Sequence, residues 1–70
     1  MEAPGQILLN GASHPLPETC TVEALLEAAG FGGRRVAVEV NGDIVPRSRH
    51  GAHRLHDGDR VEIVQALGGG

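Results

Sequence analysis

The chain closes on the run QALGGG, Gln65 to Gly70, and these residues raise the sharpest chemical question in it. Glycine loses more conformational freedom on being ordered than any other residue, so Gly68, Gly69 and Gly70 neither cap nor staple a fold. Either they are a remnant, or something other than folding requires them. Other groups also invite chemistry. Cys20 is the one thiol; it stands just before a helix start, where a nucleophile can sit, but the sequence places no base beside it, and it reads as a packed or incidental thiol. His50, His53 and His56 recur every third residue and are followed by Asp57 and Asp59, all metal-ligating types. Gly51 and Gly58 mark this stretch as a loop, and no ligand pair has a second half elsewhere, so it reads as a solvated connection and no metal is expected. Asn41-Gly42-Asp43 and Asp57-Gly58-Asp59 fit neither a calcium loop nor a phosphate-binding glycine motif. Both are turns, because Gly, Asn and Asp accept positive φ and bond their own backbone.

The elements that would position these residues follow from periodicity. QILLN, Gln6 to Asn10, is a strand; Asn10-Gly11 is a strong hairpin signal that returns the chain through ASHPL, and Pro15 and Pro17 make the second strand an edge or a short one. In TVEALLEAAG the spacing of Val22, Leu25, Leu26 and Ala29 predicts a helix with one buried face. Thr21 is its N-cap, Glu23 its first-turn acid and Gly30 its stop. RVAVEV alternates, placing Val36, Val38 and Val40 on one face and Ala37 and Glu39 on the other. Ile44 and Val45 form a short strand ended by Pro46, RSRHGAHRLH connects with one helical turn, and Val61 and Ile63 share a face of the last strand. The order β-β-α-β-β-β is an α+β layout with one helix over a mixed sheet. The first and last strands can then lie side by side at the sheet centre, which gives the glycine end a rigid base.

Composition narrows the function further. Seventy residues make one domain near the lower size limit for a single core, and with Phe31 the only aromatic that core is Val, Leu and Ile. Six arginines are outnumbered by nine carboxylates, for a net charge of −3. That balance argues against nucleic acid or an anionic membrane as partner. No apolar run approaches the roughly 20 residues of a membrane span, one cysteine excludes an internal disulfide, and the N-terminal stretch lacks the features of a signal peptide. A cytoplasmic location is expected. Lysine is absent, so the chain cannot serve as a lysine acceptor in a polymer of itself.

Taken as an ordered set, QILLNG, TVEALLEAAG, VAVEVNGDIVPR and HDGDRVEIVQALGGG resemble the small β-grasp (ubiquitin-like) sulfur carriers of thiamine (thiazole) biosynthesis, the ThiS-like proteins, from Gln6 to Gly70. The tail has three glycines where two suffice for the family pattern. A related group that supplies sulfur to the molybdenum cofactor tends to carry a proline pair before the tail, and VQALGGG has none.

The resemblance implies a β-grasp domain over residues 1–66 and a flexible reactive tail over 67–70. Gly70 would be the thiocarboxylate and adenylation site, Gly68 and Gly69 the thread that enters partner active sites, and Leu67 a docking residue or a closure of the sheet edge. The chain would be a substrate rather than an enzyme and would need no cofactor of its own. Its partners would be an ATP-dependent adenylating (E1-like) enzyme, a thiazole synthase and a sulfur-donating persulfide protein such as a cysteine desulfurase. The alternatives are sulfur delivery to molybdopterin or another thiolation pathway, a passive β-grasp interaction domain, and a ubiquitin-like conjugating tag.

Overall fold

A computed structural model of the chain describes residues 5–65; Leu67, Gly68, Gly69, Gly70 and the domain boundary expected after residue 66 lie outside them. Strands β1 (Gln6–Leu9) and β2 (Ala12–Pro15) form the expected antiparallel hairpin. Strand β1 stops one residue short of Asn10 because Asn10 and Gly11 both take positive φ, 51° and 85°. That pair of left-handed residues is what a type I′ hairpin turn requires. After helix α1 (Val22–Ala28) come β3 (Val36–Val40), β4 (Asp43–Val45), a 3₁₀ turn at Arg47–Arg49, and β5 (Arg60–Gln65). The sheet order is β2-β1-β5-β3-β4. Thus β2 is an edge strand, as its prolines demand, and β1 and β5 are parallel neighbours at the centre, flanked by antiparallel pairs.

Helix α1 begins and ends as its sequence predicts. The Thr21 hydroxyl accepts from the Ala24 amide at 3.2 Å. At the other end Gly30 has φ 89°, and the amides of Gly30 and Phe31 donate to the carbonyls of Glu27 and Leu26. This is a Schellman closure, which uses up the last carbonyls of the helix. Val22, Leu25 and Leu26 are buried, and with Ile7, Val38, Val40, Val45, Leu55, Val61 and Ile63 they make an entirely aliphatic core. Phe31 packs at its margin. At ~1.5–3 kcal/mol per fully buried aliphatic side chain, this layer between helix and sheet supplies the main stabilising term.

The segment between β4 and β5 departs from the solvated connection expected of it. His50 is buried at 8% exposure, and its Nε2 donates to the Val45 carbonyl at 3.1 Å. Leu55 belongs to the core, and its amide donates to the Cys20 carbonyl at 2.7 Å. The physical reason lies at the start of α1. A helix leaves its first N–H groups without intrahelical partners; here the Val22 amide donates to the His53 carbonyl and the Glu23 amide to the His50 carbonyl. The loop therefore docks on the helix N-terminus, and burial of His50 and Leu55 follows from that docking.

Candidate functional site

Strand β5 immediately precedes the C-terminal residues, and it is held along both edges. Along one edge it pairs with the full length of β3, from Val40↔Val61 to Val36↔Gln65. Along the other it pairs with β1 only at Leu8↔Arg60 and Leu9↔Val61. Two asparagines complete the hold. Asn41 repeats the geometry of Asn10, with φ 53° followed by Gly42 at 90°. Its amide donates to the Arg60 carbonyl at 2.7 Å, and its Oδ1 accepts from the Arg60 amide at 2.9 Å. Its Nδ2 donates to Asp59 Oδ1 at 3.0 Å, while Asp59 Oδ2 accepts from the His56 amide. On the opposite edge the Asn10 amide donates to the Val61 carbonyl, and the Asn10 side chain bonds both main-chain groups of Ile63. Gln65, the last described residue, stands opposite Val36 at the far end of this track.

Asp57-Gly58-Asp59 is likewise a turn, and it fastens the start of β5 to β1. Asp57 Oδ1 accepts from the Gln6 amide at 2.8 Å, and the Gly58 amide donates to the Gln6 carbonyl at 2.7 Å. Both Asn/Asp-Gly-Asp motifs are turns as expected, but their side chains do more than close their own loops. They anchor the strand behind the glycines.

The sheet has one covered face and one open one. Residues alternate across β5, so Val61, Ile63 and Gln65 point to the helix side and Arg60, Glu62 and Val64 to the other. On the open face Val64 is opposite Ala37, Glu62 opposite Glu39, and Glu39 opposite Ile44. Ile44, Val64 and Leu8 are 72%, 63% and 42% exposed. Two carboxylates directly across from one another on neighbouring strands are unfavourable, and no ion pair joins either to a cation among the described residues. A face of this composition gains little for folding and is suited to contact with another protein.

The remaining chemical candidates take structural places. The Cys20 thiol donates to the Pro17 carbonyl at 3.2 Å and is half-buried. His50 is committed to the Val45 carbonyl, His53 is half-buried and His56 exposed. Among the described residues no group of three His, Cys, Asp or Glu side chains is placed to hold a metal ion. Also among the described residues, no helix is long and apolar enough to cross a membrane. Sequence reasoning overlooked the long-range bonds of Asn10 and Asn41 and the core place of Leu55. The repeated Asn-Gly pair was the visible signal for the first two, read only as turn chemistry.

The comparisons with known proteins agree with this geometry. The ThiS family model matches residues 7–70. The chain is 34% identical over 65 residues to the sulfur carrier protein ThiS of Escherichia coli, covering 93% of this chain and 98% of that protein. It is 43% identical over 65 residues to a thiazole synthase of Paramagnetospirillum magneticum, spanning about one fifth of that protein's length: 93% of this chain and 20% of the synthase. The crystal structure of the thiamine biosynthesis protein ThiS from Geobacter metallireducens superposes with a TM-score of 0.76 at 31% identity, over 93% of this chain and 99% of that one. The five-stranded mixed sheet under a single helix is thus a β-grasp fold, and the chain belongs to the ThiS family of sulfur carrier proteins.

Proposed function

We propose that the chain carries sulfur for thiazole formation in thiamine biosynthesis as a thiocarboxylate on Gly70. The observation that carries this reading is the family match running through residue 70, joined to a central strand anchored on both edges that precedes those glycines in the chain.

The chemistry needs only a carboxylate and a narrow thread. A carboxylate resists nucleophiles because its charge is shared over two oxygens. In an adenylating enzyme one of its oxygens attacks the α-phosphorus of ATP and expels pyrophosphate, which leaves an acyl adenylate. A sulfur nucleophile then adds to the carbonyl and AMP departs. With sulfide the product is the thiocarboxylate itself; with a persulfide it is an acyl disulfide, which a second thiol must cleave. In this scheme the partner supplies orientation and the chain supplies the reacting atom, so the chain is a protein substrate.

Gly68 and Gly69 suit the thread because a Cβ would widen it and restrict its torsions. Three residues beyond Leu67 extend only ~10 Å, so the folded domain must come close to the partner's active site. Ordering the thread costs about 1–2 kcal/mol per residue, which contacts elsewhere must offset. The open face, with Val64, Ala37, Leu8 and Ile44, is the surface we assign to that docking, together with Leu67. An adenylating enzyme, a sulfur-donating persulfide protein such as a cysteine desulfurase, and a thiazole synthase are the partners this scheme requires. The synthase is supported by thiazole synthases that contain a stretch similar to nearly the whole chain.

The test is mass spectrometry of the intact chain and its C-terminal fragment after incubation with ATP, sulfide and an active adenylating enzyme. Replacement of one oxygen by sulfur, localised to Gly70, is the expected result. An unmodified terminus would sink the reading and leave a passive β-grasp interaction domain in its place.

A further inference from the structure

Asn10 makes the only side-chain hydrogen bonds, among the described residues, that reach β5 beyond the end of β1. Strand β1 runs parallel to β5 only as far as Leu9↔Val61. In a strand, alternate residues turn their main-chain groups to the same neighbour, so Val61, Ile63 and Gln65 face the β1 side. The Asn10 amide takes care of the Val61 carbonyl at 2.9 Å. One step further along, where β1 has already turned away, Asn10 Oδ1 accepts from the Ile63 amide at 2.8 Å and Asn10 Nδ2 donates to the Ile63 carbonyl at 3.3 Å. The carboxamide offers one acceptor and one donor, as a peptide group of a neighbouring strand would. Asn10 holds this position in a left-handed conformation that few residues other than Gly, Asn and Asp adopt readily.

We propose that Asn10 is a positioning residue for the C-terminal tail: its carboxamide replaces the missing strand neighbour of Ile63 and secures the β1 side of β5 over the stretch that precedes the glycines. The role rests on the tail reading given above. If the carboxamide is lost, β5 from Ile63 onward is held on the β3 side alone. A partner that docks the tail must then restrain the added motion of residues 63–65, which keep only their pairing with β3, as well as order the glycines. Docking weakens, while the reaction at Gly70, once the tail is seated, is unchanged.

Asn10→Gly keeps the backbone geometry and removes both side-chain bonds. Asn10→Asp keeps the acceptor for the Ile63 amide and loses the donor to its carbonyl. Amide hydrogen exchange is expected to show Ile63 exchanging at least tenfold faster in Asn10→Gly, with Asn10→Asp restoring only part of the protection, because its second carboxylate oxygen faces the Ile63 carbonyl. In ATP-dependent adenylation, KM for the carrier is expected to rise about 5–10-fold in Asn10→Gly, the scale of one or two lost hydrogen bonds, with kcat within twofold. Thr21→Ala serves as a control for general destabilisation: it removes the N-cap bond at the start of α1 and is expected to leave KM alone. Unchanged Ile63 exchange in Asn10→Gly overturns the clamp. Faster exchange with unchanged KM, or an equal rise of KM in Thr21→Ala, overturns the positioning role. A wild-type chain that is never adenylated overturns the tail reading and the positioning role with it, while Ile63 exchange still decides the clamp on its own.

Discussion

The two faces of the five-stranded sheet are built from the same strands by strict alternation, yet they differ sharply in burial and composition. The helix side collects Ile7, Val38, Val40, Val45, Val61 and Ile63 against Val22, Leu25, Leu26 and Leu55, all at or below 8% exposure. The open side presents Leu8, Ala37, Ile44 and Val64 around the facing carboxylates of Glu39 and Glu62. One face holds the aliphatic area that keeps a chain of this size folded. The other tolerates a like-charge pair and exposed aliphatic side chains, which a selection for stability alone would replace. Strand β5 contributes to both, and it also carries the chain onward to the glycines. If the open face docks partners as proposed, stability and delivery are separable at the level of single residues.

That separation can be broken in graded steps. The largest effect is expected from removing Gly69 and Gly70: sulfur loading should be abolished altogether while the melting temperature stays within a degree or so of wild type, because glycine has no side chain to bury in an aliphatic core. Loading that survived the deletion would end the assignment of Gly70. Next comes Leu25→Ala on the covered face. A fully buried Leu truncated to Ala costs about 2–5 kcal/mol, from a total of roughly 3.5–10 kcal/mol for a domain of this length. Urea denaturation should show much of the stability gone, and a loss under 1 kcal/mol would mean that the core is less tightly packed than described. Thr21→Ala should cost about 1 kcal/mol by removing the N-cap bond, read in the same denaturation series.

On the open face the order of effects reverses. Val64→Ser is expected to change stability by only about 0.5 kcal/mol or less while raising KM for adenylation several-fold. A larger change in stability than in docking would place Val64 in the folding layer after all. The smallest effect belongs to Glu39→Gln, which relieves the repulsion with Glu62 and should stabilise by a few tenths of a kcal/mol. The gain should shrink in 1 M salt, where charges are screened within about 3 Å; a gain insensitive to salt would point to something other than charge.

Much of this architecture could be read from residue order. The hairpin at Asn10-Gly11, the helix from Thr21 to Gly30, the inward valines of β3 and the edge placement of β2 all depend on neighbours within a few positions. Local φ preference, side-chain period and capping are sufficient for them. Burial in the segment from Arg47 to His56 was not legible, because its composition is polar and the cause is remote. The Val22 and Glu23 amides needed acceptors, and the His50 and His53 carbonyls supplied them across the fold. Ile44 reads as a strand residue from sequence, but only the register with Glu39 shows that its side chain points away from the helix.

By itself, then, the sequence determined the elements, their order, the aliphatic character of the core and the motif set that leads to Gly70, since each is written in contiguous residues. Only the tertiary structure decided that β5 lies between β1 and β3, and that two asparagines more than fifty and about twenty positions away in sequence from their partners on β5 hold it from opposite edges. A hydrogen bond between such distant residues depends on how strands pair, and pairing is settled by the packing of the whole core rather than by any one segment.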